Sequence, residues 1–270
     1  MITPGQVSFF KTFGFLALRQ SFDGAEIAAI SQAFDELLDR DRQGQPFSGE
    51  KRHALYGMVE QHPRLMKIVE DDRIYETVEQ LLGPGFSWFC SEGNLYVGDT
   101  EWHPDGGINP DFSFMKVSLY LDPLTADTGC LRVVPGSHRL PFLEDLKNLA
   151  DRHGAADANH TGTQIDIAGT NVPCYPLETR PGDVFFLNMN LWHASFGGQP
   201  GRRHLALNFA PEPTDATHLD RFRKGHQNVL NLMGRFQHTR PGRVFSDTFL
   251  ESNSPRIQRL ASRWKELELR

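Results

Sequence analysis

The first part of the chain repeats apolar residues at the spacing of an α-helix. A hydroxyl followed by a proline at Thr3-Pro4 predicts a helix start, and a glycine at position 14 predicts its end. Phe15–Leu18 then has the composition of a short strand. A second helix is expected from Asp23, which has a glutamate three residues later as a capping box requires. A third is predicted from Pro63 to Leu82, where a Gly-Pro-Gly sequence ends it.

From position 86 to about 210 the pattern changes to short apolar or alternating runs separated by turn residues. Several such runs in succession predict the strands of a sandwich or jelly roll. Strands are expected at Phe112–Leu121, Leu131–Val134, Val184–Leu187 and Leu205–Phe209. A helix and a polar loop at 140–160 interrupt them. After Pro213 the chain becomes helical again and ends in an amphipathic helix over Ile257–Leu267.

The bulk composition predicts one soluble, globular domain over 1–270, with helices in 1–85, a β core in 86–210 and a helical tail in 211–270. At 39% hydrophobic and 23% charged residues, the chain can bury a large core. The net charge of −6 argues against nucleic acid or a membrane surface as a partner, and no apolar run is long enough to span a bilayer. Three widely separated cysteines and the absence of a signal-peptide pattern predict a cytoplasmic location. Nothing in the pattern indicates the oligomeric state.

Three residues are the candidate metal ligands. His103-Pro104-Asp105 places an imidazole and a carboxylate two residues apart, so both side chains can point the same way at a strand end. His193 follows the strand that begins at position 184 and completes a three-point face. Two histidines and one carboxylate are the ligand set of non-haem iron(II) oxygenases, which leaves positions for O2 and a co-substrate. We call His103, Asp105 and His193 the triad.

A His-x-Asp pair by itself is a weak signal. In a chain with 11 histidines and 19 aspartates, one such pair is expected about once by chance. A second pair does occur, at His218-Leu219-Asp220. It follows a predicted helix start and has no later histidine in a strand, so we interpret it as part of a solvated helix face.

The strand after His193 has one polar and one apolar face. Alternation places Arg202, His204, Ala206 and Asn208 on one face, and Arg203, Leu205, Leu207 and Phe209 on the other. A buried arginine needs an anion because it cannot lose its charge. If the polar face lines the metal cavity, Arg202 can bind a dicarboxylic co-substrate through both of its terminal nitrogens. The alternative is an arginine at a strand edge in water. Lys116, which shares a face with two polar neighbours, either reaches the same pocket or is solvated.

These motifs together resemble the phytanoyl-CoA dioxygenase-like branch of the Fe(II)/2-oxoglutarate oxygenases. The resemblance extends from the opening residues to Arg202, and the chain after about Pro211 matches nothing specific. The stretches that carry it are Gly14-Phe15-Leu16, Trp102–Gly106, Lys116-Val117, Tyr120–Asp122, Gly129–His138, Pro181–Asp183, His193–Ser195 and Arg202. Thr128 stands where the family usually has asparagine. His138, at the end of the longest stretch, belongs to a structural turn in this family and is not taken as a ligand.

The resemblance implies a mainly β fold, a double-stranded β-helix (jelly roll, cupin-like) core with N-terminal and C-terminal flanking helices. It implies Fe(II) at the triad, with 2-oxoglutarate and O2 as co-substrates. Arg202 would hold the distal carboxylate of 2-oxoglutarate together with Ser195. The strand face of Lys116, and not the resemblance, makes it a further candidate contact in that pocket. Arg203 remains a competitor, because the spacing from His193 to Arg202 is slightly shorter than usual.

The implied reaction is hydroxylation of a small organic substrate, with 2-oxoglutarate converted to succinate and CO2. Related halogenases have a small residue at the position of Asp105, so its carboxylate favours hydroxylation, while desaturation and ring formation stay open. Trp102, Phe112 and Trp192 either line an apolar substrate pocket or belong to the core. Two other functions remain at this point. One is a metal cupin enzyme, an isomerase or a dioxygenase that does not use 2-oxoglutarate, and the other is a non-enzymatic jelly-roll binding protein.

The tail contains a cluster of basic residues. They are Arg221, Arg223, Lys224, Arg235, Arg240 and Arg243. Such a cluster either attracts an anionic substrate or forms a solvated helix face. Pocket walls in this kind of fold come from loops and added helices, here expected from 47–58, Glu101, 109–112, 140–164 and the tail. The sequence therefore leaves the substrate open.

Overall fold

The computed structural model describes residues 1–105, 111–151, 169–239 and 242–269. The helices are α1 (Pro4–Phe13), α2 (Gly24–Asp41), α3 (Pro63–Glu70), α4 (Asp72–Leu82), α5 (Phe142–Asp151), α6 (Ala216–Phe236), α7 (Asp247–Leu250) and α8 (Pro255–Glu266), with a 3-10 turn at Val59–Gln61. None of these described helices is both long and apolar enough to cross a membrane. The polar loop predicted after α5 lies outside the described residues.

The strands form two antiparallel sheets. They are β1 (Phe15–Leu18), β2 (His53–Tyr56), β3 (Ser87–Tyr96), β4 (Thr100–His103), β5 (Met115–Tyr120), β6 (Leu131–Val133), β7 (Tyr175–Leu177), β8 (Val184–Asn188), β9 (His193–Ser195) and β10 (Arg202–Ala210). One sheet has the order β1-β8-β5-β10-β3-β2 and the other the order β4-β9-β6-β7. This is the predicted mainly β core with flanking helices. β1 and β2 lie in the part assigned to helices, and they join the large sheet at its two edges.

Local capping explains where the first helices begin. The side chains of Thr3 and Asp23 each accept a backbone N–H, and the side chain three residues later hydrogen-bonds back to the cap. The helix start predicted at Thr3 and the capping box predicted at Asp23 are therefore confirmed, and the structure adds a capping box at Thr3. The single helix predicted from Pro63 to Leu82 is wrong, because the chain forms α3 and α4 instead. Asp71 is extended, with ψ 132°, and its carboxylate accepts the N–H of Arg73 to cap α4.

The large sheet separates an apolar side from a polar side by simple alternation. On β10, Leu205, Leu207 and Phe209 are buried in the main hydrophobic core, which they share with the helices. Arg202, His204 and Asn208 project from the opposite face into a cavity. The two faces predicted for this strand are therefore confirmed, and the polar face is where a site can form.

Asp41, the last residue of α2, fixes the end of α6. Its buried carboxylate lies 2.8 Å from Nε2 of His53 on β2, and it accepts the backbone N–H groups of His238 and Thr239, each at 3.0 Å. One carboxylate thus connects α2, β2 and the segment after α6. This contact holds α6 beside the sheet, where it closes the cavity.

Glu60 is a carboxyl group buried in the core. Its Oε1 accepts a hydrogen bond from Trp88 Nε1 at 2.7 Å, and the Ser91 hydroxyl donates to its Oε2. Burial raises the pKa of Glu60 to about 7, although the hydrogen bonds from Ser91 and Trp88 act in the opposite direction. The folded protein therefore keeps a proton on Glu60 at a pH where the unfolded chain has lost it.

We expect Glu60→Gln to change how stability depends on pH. Between about pH 4.5 and pH 7 the folded state binds more protons at this site, so its contribution to stability falls as the pH rises. Gln keeps the neutral shape and cannot ionise. Relative to the unsubstituted protein, the variant should therefore gain about 1–3 kcal/mol between pH 5 and pH 8 in urea unfolding. The exposed Glu50→Gln serves as control, and an equal gain in both variants would contradict the assignment.

Candidate active site

A cavity of about 700 Å³ is lined by residues of both sheets and by one side of α6. Its polar floor comes from alternate positions of three neighbouring strands. They are Cys90, Glu92 and Tyr96 on β3, Lys116, Ser118 and Tyr120 on β5, and Arg202, His204 and Asn208 on β10. The smaller sheet contributes Thr100, His103, Leu131, His193 and Ser195. Alternation along paired strands thus gathers polar groups from distant parts of the sequence.

The structure brings the three residues of the triad together in this cavity. The side chains offer ligand atoms that all lie within 4.8 Å of one another. Strand pairing is the reason, because His103 on β4 is the direct partner of His193 on β9. Asp105 follows β4, and its N–H donates to the carbonyl of Met189 at 2.9 Å, which fixes the backbone that carries the carboxylate.

Both imidazoles are oriented by backbone carbonyls. Nδ1 of His103 lies 2.7 Å from the carbonyl of Glu101, and Nδ1 of His193 lies 2.8 Å from that of Leu191. Each ring therefore donates from Nδ1 and directs Nε2 toward Asp105. Nε2 of His103 is 3.6 Å from Oδ1 of Asp105, and Nε2 of His193 is 3.6 Å from Oδ2. Burial and the nearby His193 lower the pKa of His103, which favours the neutral imidazole that metals bind.

Lys116 lies beside the triad. Its Nζ is 2.6 Å from Oδ2 of Asp105 and 3.3 Å from Oε1 of Glu92. Burial would raise the pKa of Asp105, but Lys116 and His193 outweigh it and hold that pKa well below the usual value. The aspartate is thus an oriented carboxylate. Two imidazole nitrogens and a carboxylate oxygen are the donor set that fits a divalent non-haem iron.

Arg202 is a buried cation without a carboxylate partner. It is 6% exposed and donates to the backbone carbonyls of Gly98 at 2.8 Å and Gln199 at 3.1 Å. No described carboxylate lies within 4.0 Å of it, and burial lowers the pKa of its guanidinium. Arg203 projects to the other side of the strand and pairs with Asp122 at 2.7 Å. Of the two arginines, only Arg202 faces the cavity in need of an anion.

Two glycines make room for the Arg202 guanidinium. A Cβ at Gly129 would lie 3.0 Å from its Cζ, and one at Gly198 would overlap it. Gly129 also has φ +88°, a conformation that side chains rarely adopt. The hydroxyl of Ser195 donates to the Gly129 carbonyl at 2.9 Å, which places it in the same corner of the cavity. The result is a small polar recess with one fixed positive charge.

The three aromatic residues proposed as substrate contacts separate into two groups. Phe112 does line the cavity. Trp102 and Trp192 do not line it, so the prediction that they contact the substrate is corrected. Both indoles pack in a separate apolar cluster with Phe196 and are absent from the described cavity lining. Each tryptophan immediately precedes a triad histidine, so alternation turns its side chain away from the side that the imidazole faces.

Sequence reasoning missed two charged residues of the cavity. Glu92 is buried and accepts from Arg52 Nη2 at 3.1 Å, while the Arg52 guanidinium lies 4.6 Å from the Tyr96 ring centroid and 5.0 Å from that of Phe236. Polar residues alternate along β3, and this was the signal that could have revealed Glu92. They are Cys90, Glu92, Asn94 and Tyr96. Arg52 has no such signal, because it lies just before β2.

The second His-x-Asp pair is on α6, as predicted, but the solvated face holds only for Asp220, because His218 is half-buried. His218 stacks on Phe112 with ring centroids 4.2 Å apart, and Asp220 pairs with Lys224 at 2.6 Å. Neither joins the triad. His138 is also separate, since its ring packs against Gly14.

The predicted basic cluster divides between cavity and solvent. Arg221, Lys224 and Arg235 line the cavity from α6, whereas Arg223 and Arg243 do not. Arg240 lies outside the described residues.

Comparison with known proteins gives a family and a fold. A sequence model of the family described as phytanoyl-CoA dioxygenase (PhyH) matches residues 10–204. The ectoine dioxygenase of Sphingopyxis alaskensis is 26% identical over 225 residues, which cover 73% of this chain and 71% of that protein. The crystal structure of EctD from S. alaskensis with 2-oxoglutarate and 5-hydroxyectoine has a TM-score of 0.57 at 23% identity, covering 77% of this chain and 76% of its own. HygX from Streptomyces hygroscopicus, with nickel and 2-oxoglutarate bound, has a TM-score of 0.60 at 20% identity, covering 78% and 88%.

These similarities bear on two predictions. The family match spans more than half of the chain and confirms the resemblance drawn from the sequence motifs. The structural neighbours share the jelly-roll fold, so the predicted double-stranded β-helix with flanking helices is confirmed as well.

The two glycines of α6 should respond in opposite ways to alanine. A Cβ at Gly225 would lie 2.5 Å from the ring of Phe89 on the cavity floor, whereas a Cβ at Gly234 would meet nothing within 4 Å. We expect Gly225→Ala to push α6 from the sheet and destabilise the fold by about 1–3 kcal/mol. Gly234→Ala should stabilise it by about 0.5–1 kcal/mol, because alanine lowers the entropy of the unfolded chain. Thermal unfolding measures both, and similar shifts of the same sign would contradict this packing.

Proposed function

This chain belongs to the phytanoyl-CoA dioxygenase family and is an Fe(II)- and 2-oxoglutarate-dependent oxygenase, and we propose that it hydroxylates a small organic substrate at the triad. One observation carries the proposal. A set of two imidazole nitrogens and a carboxylate shares a cavity with a buried arginine that has no counter-ion in the described structure. The first is suited to a metal and the second to a dicarboxylate.

In this proposal the triad binds iron through Nε2 of each histidine and one carboxylate oxygen of Asp105. The carbonyls that accept from Nδ1 keep both rings in the correct tautomer and orientation. Lys116 donates to Oδ2 of Asp105, which leaves Oδ1 free to face the metal. With three protein ligands, the metal would keep positions for the co-substrates.

Arg202 binds the distal carboxylate of 2-oxoglutarate in the recess made by Gly129 and Gly198, and Ser195 contributes a hydroxyl there. The fixed guanidinium orients the co-substrate along the cavity toward the triad. When bound, iron and 2-oxoglutarate together supply O2 activation, with succinate and CO2 released and a hydroxyl placed on the substrate. Phe112 and Phe114 exclude water from the side where α6 approaches the sheet.

The carboxylate at position 105 supports hydroxylation as the outcome. Related halogenases have a small residue there, which makes room for chloride beside the metal. Here Asp105 fills that position and is held by Lys116. A halide would have to displace a carboxylate that already has an ion-pair partner.

The cellular setting is part of the proposal. We place the protein in the cytoplasm, supported by three cysteines that are all free. The substrate is a small molecule, which the size of the cavity supports. Nucleic acid is not expected as a partner, because the chain has a net charge of −6.

We expect His193→Ala to abolish metal binding and turnover. Loss of one of three ligands should raise the Kd for Mn(II) at least about 100-fold and stop 2-oxoglutarate-dependent succinate formation. Electron paramagnetic resonance of free Mn(II) measures the first, and chromatography of succinate the second. His218→Ala, from the other His-x-Asp pair, is the matched control and should keep its metal affinity. Unchanged Mn(II) binding in His193→Ala would refute the triad as the metal site.

The neighbouring arginines provide a second test. Arg202→Gln removes the buried charge and should weaken 2-oxoglutarate binding about 10- to 100-fold, the range for a charge-assisted pair. Arg203→Gln should leave that affinity unchanged, because its guanidinium pairs with Asp122 on the other side of β10. Calorimetry on the Ni(II)-substituted protein measures both. The reverse pattern would assign 2-oxoglutarate to Arg203.

A further inference from the structure

The cavity wall is cationic although the chain as a whole is acidic. Among the described residues that line it, six are basic and two are carboxylates. The basic ones are Arg52, Lys116, Arg202, Arg221, Lys224 and Arg235, and the acidic ones are Glu92 and Asp105. The net charge of the whole chain is −6. Iron(II) and 2-oxoglutarate have equal and opposite charges, so their binding leaves this positive excess in place.

Four of the six cations already pair with a carboxylate or are assigned to a ligand. Arg52 pairs with Glu92, and Lys116 with both Glu92 and Asp105. Lys224 pairs with Asp220, one turn earlier on α6. Arg202 is assigned above to 2-oxoglutarate. The remaining two, Arg221 and Arg235, have no described carboxylate within 4.0 Å.

Arg221 and Arg235 are at opposite ends of the side of α6 that faces the cavity. They are 14 residues apart, which corresponds to about 21 Å along the helix axis. One small anion can therefore contact only one of them. Arg235 is exposed, and its guanidinium lies over the Phe236 ring at 5.0 Å.

Arg221 is half-buried and lines the same cavity as the triad. It lies one helical turn after His218, whose ring stacks on Phe112. Phe112 in turn belongs to the segment between Asp105 of the triad and β5. The contact between these rings ties the Arg221 end of α6 to the residues that follow the triad.

We propose that the substrate carries an anionic group, a carboxylate or a phosphate, and that Arg221 binds this group while the rest of the molecule extends to the triad. The inference rests on the proposed function, because the triad is what acts on the bound molecule. A guanidinium suits both anions, since its planar donors match two oxygens of either group. Asn228 and Asn231, on the same side of α6, offer further polar contacts along the wall.

The experiment uses the full chain loaded with Mn(II) and saturated with 2-oxoglutarate, so that the triad and Arg202 are both occupied. Inorganic phosphate is the probe, and its 31P relaxation reports binding close to the paramagnetic ion. We expect saturable enhancement of relaxation, and a Kd about tenfold higher in Arg221→Gln. Arg223→Gln, which removes an exposed charge of α6 outside the cavity, should bind phosphate as the unsubstituted protein does.

Further arms make the outcome decisive. Acetate added to the phosphate-bound protein distinguishes the two anions, since displacement at lower concentration than phosphate itself requires would identify a carboxylate site. Arg221→Lys keeps the charge and should bind phosphate within a few-fold, which separates loss of charge from loss of folding. Unchanged binding in Arg221→Gln, or a loss in Arg235→Gln instead, would overturn the assignment.

The same samples separate failure of this inference from failure of the proposed function. Mn(II) and 2-oxoglutarate occupancy are measured before phosphate is added. A protein that binds neither overturns the proposed function and this inference with it. A protein fully occupied by both that shows no 31P relaxation enhancement overturns only the inference about Arg221.

Discussion

The contact between Lys116 and Asp105 joins the two sheets across the cavity, and the arrangement of the site depends on it. Lys116 is on the large sheet and Asp105 follows a strand of the small one, with 2.6 Å between Nζ and Oδ2. A buried ammonium is stable only when carboxylates surround it, and Glu92 supplies the second. The same contact keeps Asp105 ionised and oriented between the two histidines. The ion pair therefore links the two sheets and orients the carboxylate of the metal site.

The remaining parts of the fold bring groups to this contact. The apolar side of the large sheet packs on the helices and supplies an ordinary hydrophobic core. Its other side faces the small sheet, with an apolar cluster that includes Phe185 and Leu131 between them, and α6 closes the polar part of that space. Asp41 fastens the end of that helix, while Gly225 lets the helix approach Phe89. Closure by a helix rather than by apolar packing is what leaves space for small molecules.

Unbalanced charge is what distinguishes the cavity from the rest of the molecule. Several arginines elsewhere pair with carboxylates, as Arg73 does with Glu26 and Asp71. In the cavity, Arg202 is buried against backbone carbonyls alone, and Arg221 faces the same space without a described acidic partner. Burying a charge without compensation is costly, so the buried Arg202 indicates a ligand that brings the missing charge, and the half-buried Arg221 offers a second position for an anion. A dicarboxylate co-substrate and an anionic substrate would compensate the two positions separately.

Local patterns in the sequence were enough to predict much of the fold and of the candidate site. Capping boxes at Thr3 and Asp23 and the alternation of β10 depend on residues a few positions apart, so they could be recognised without a structure. The triad could be proposed from spacing and resemblance. The choice between Arg202 and Arg203 needed only the period of two, once the cavity side was known. The break at Asp71 was missed because an apolar period continues across it.

Only the tertiary structure decided which side chains meet. Phe112 reaches the cavity from a segment outside the strands, so its direction follows no period along the chain and is set by packing against His218 of α6. Arg52 and Glu92 are 40 residues apart in sequence and form one ion pair across the edge of the sheet. The basic residues of α6 had no assigned side until the helix packed beside the sheet. A sequence specifies periods and caps through neighbours along the chain, whereas a cavity is made by contacts between distant segments, and those exist only in the folded protein.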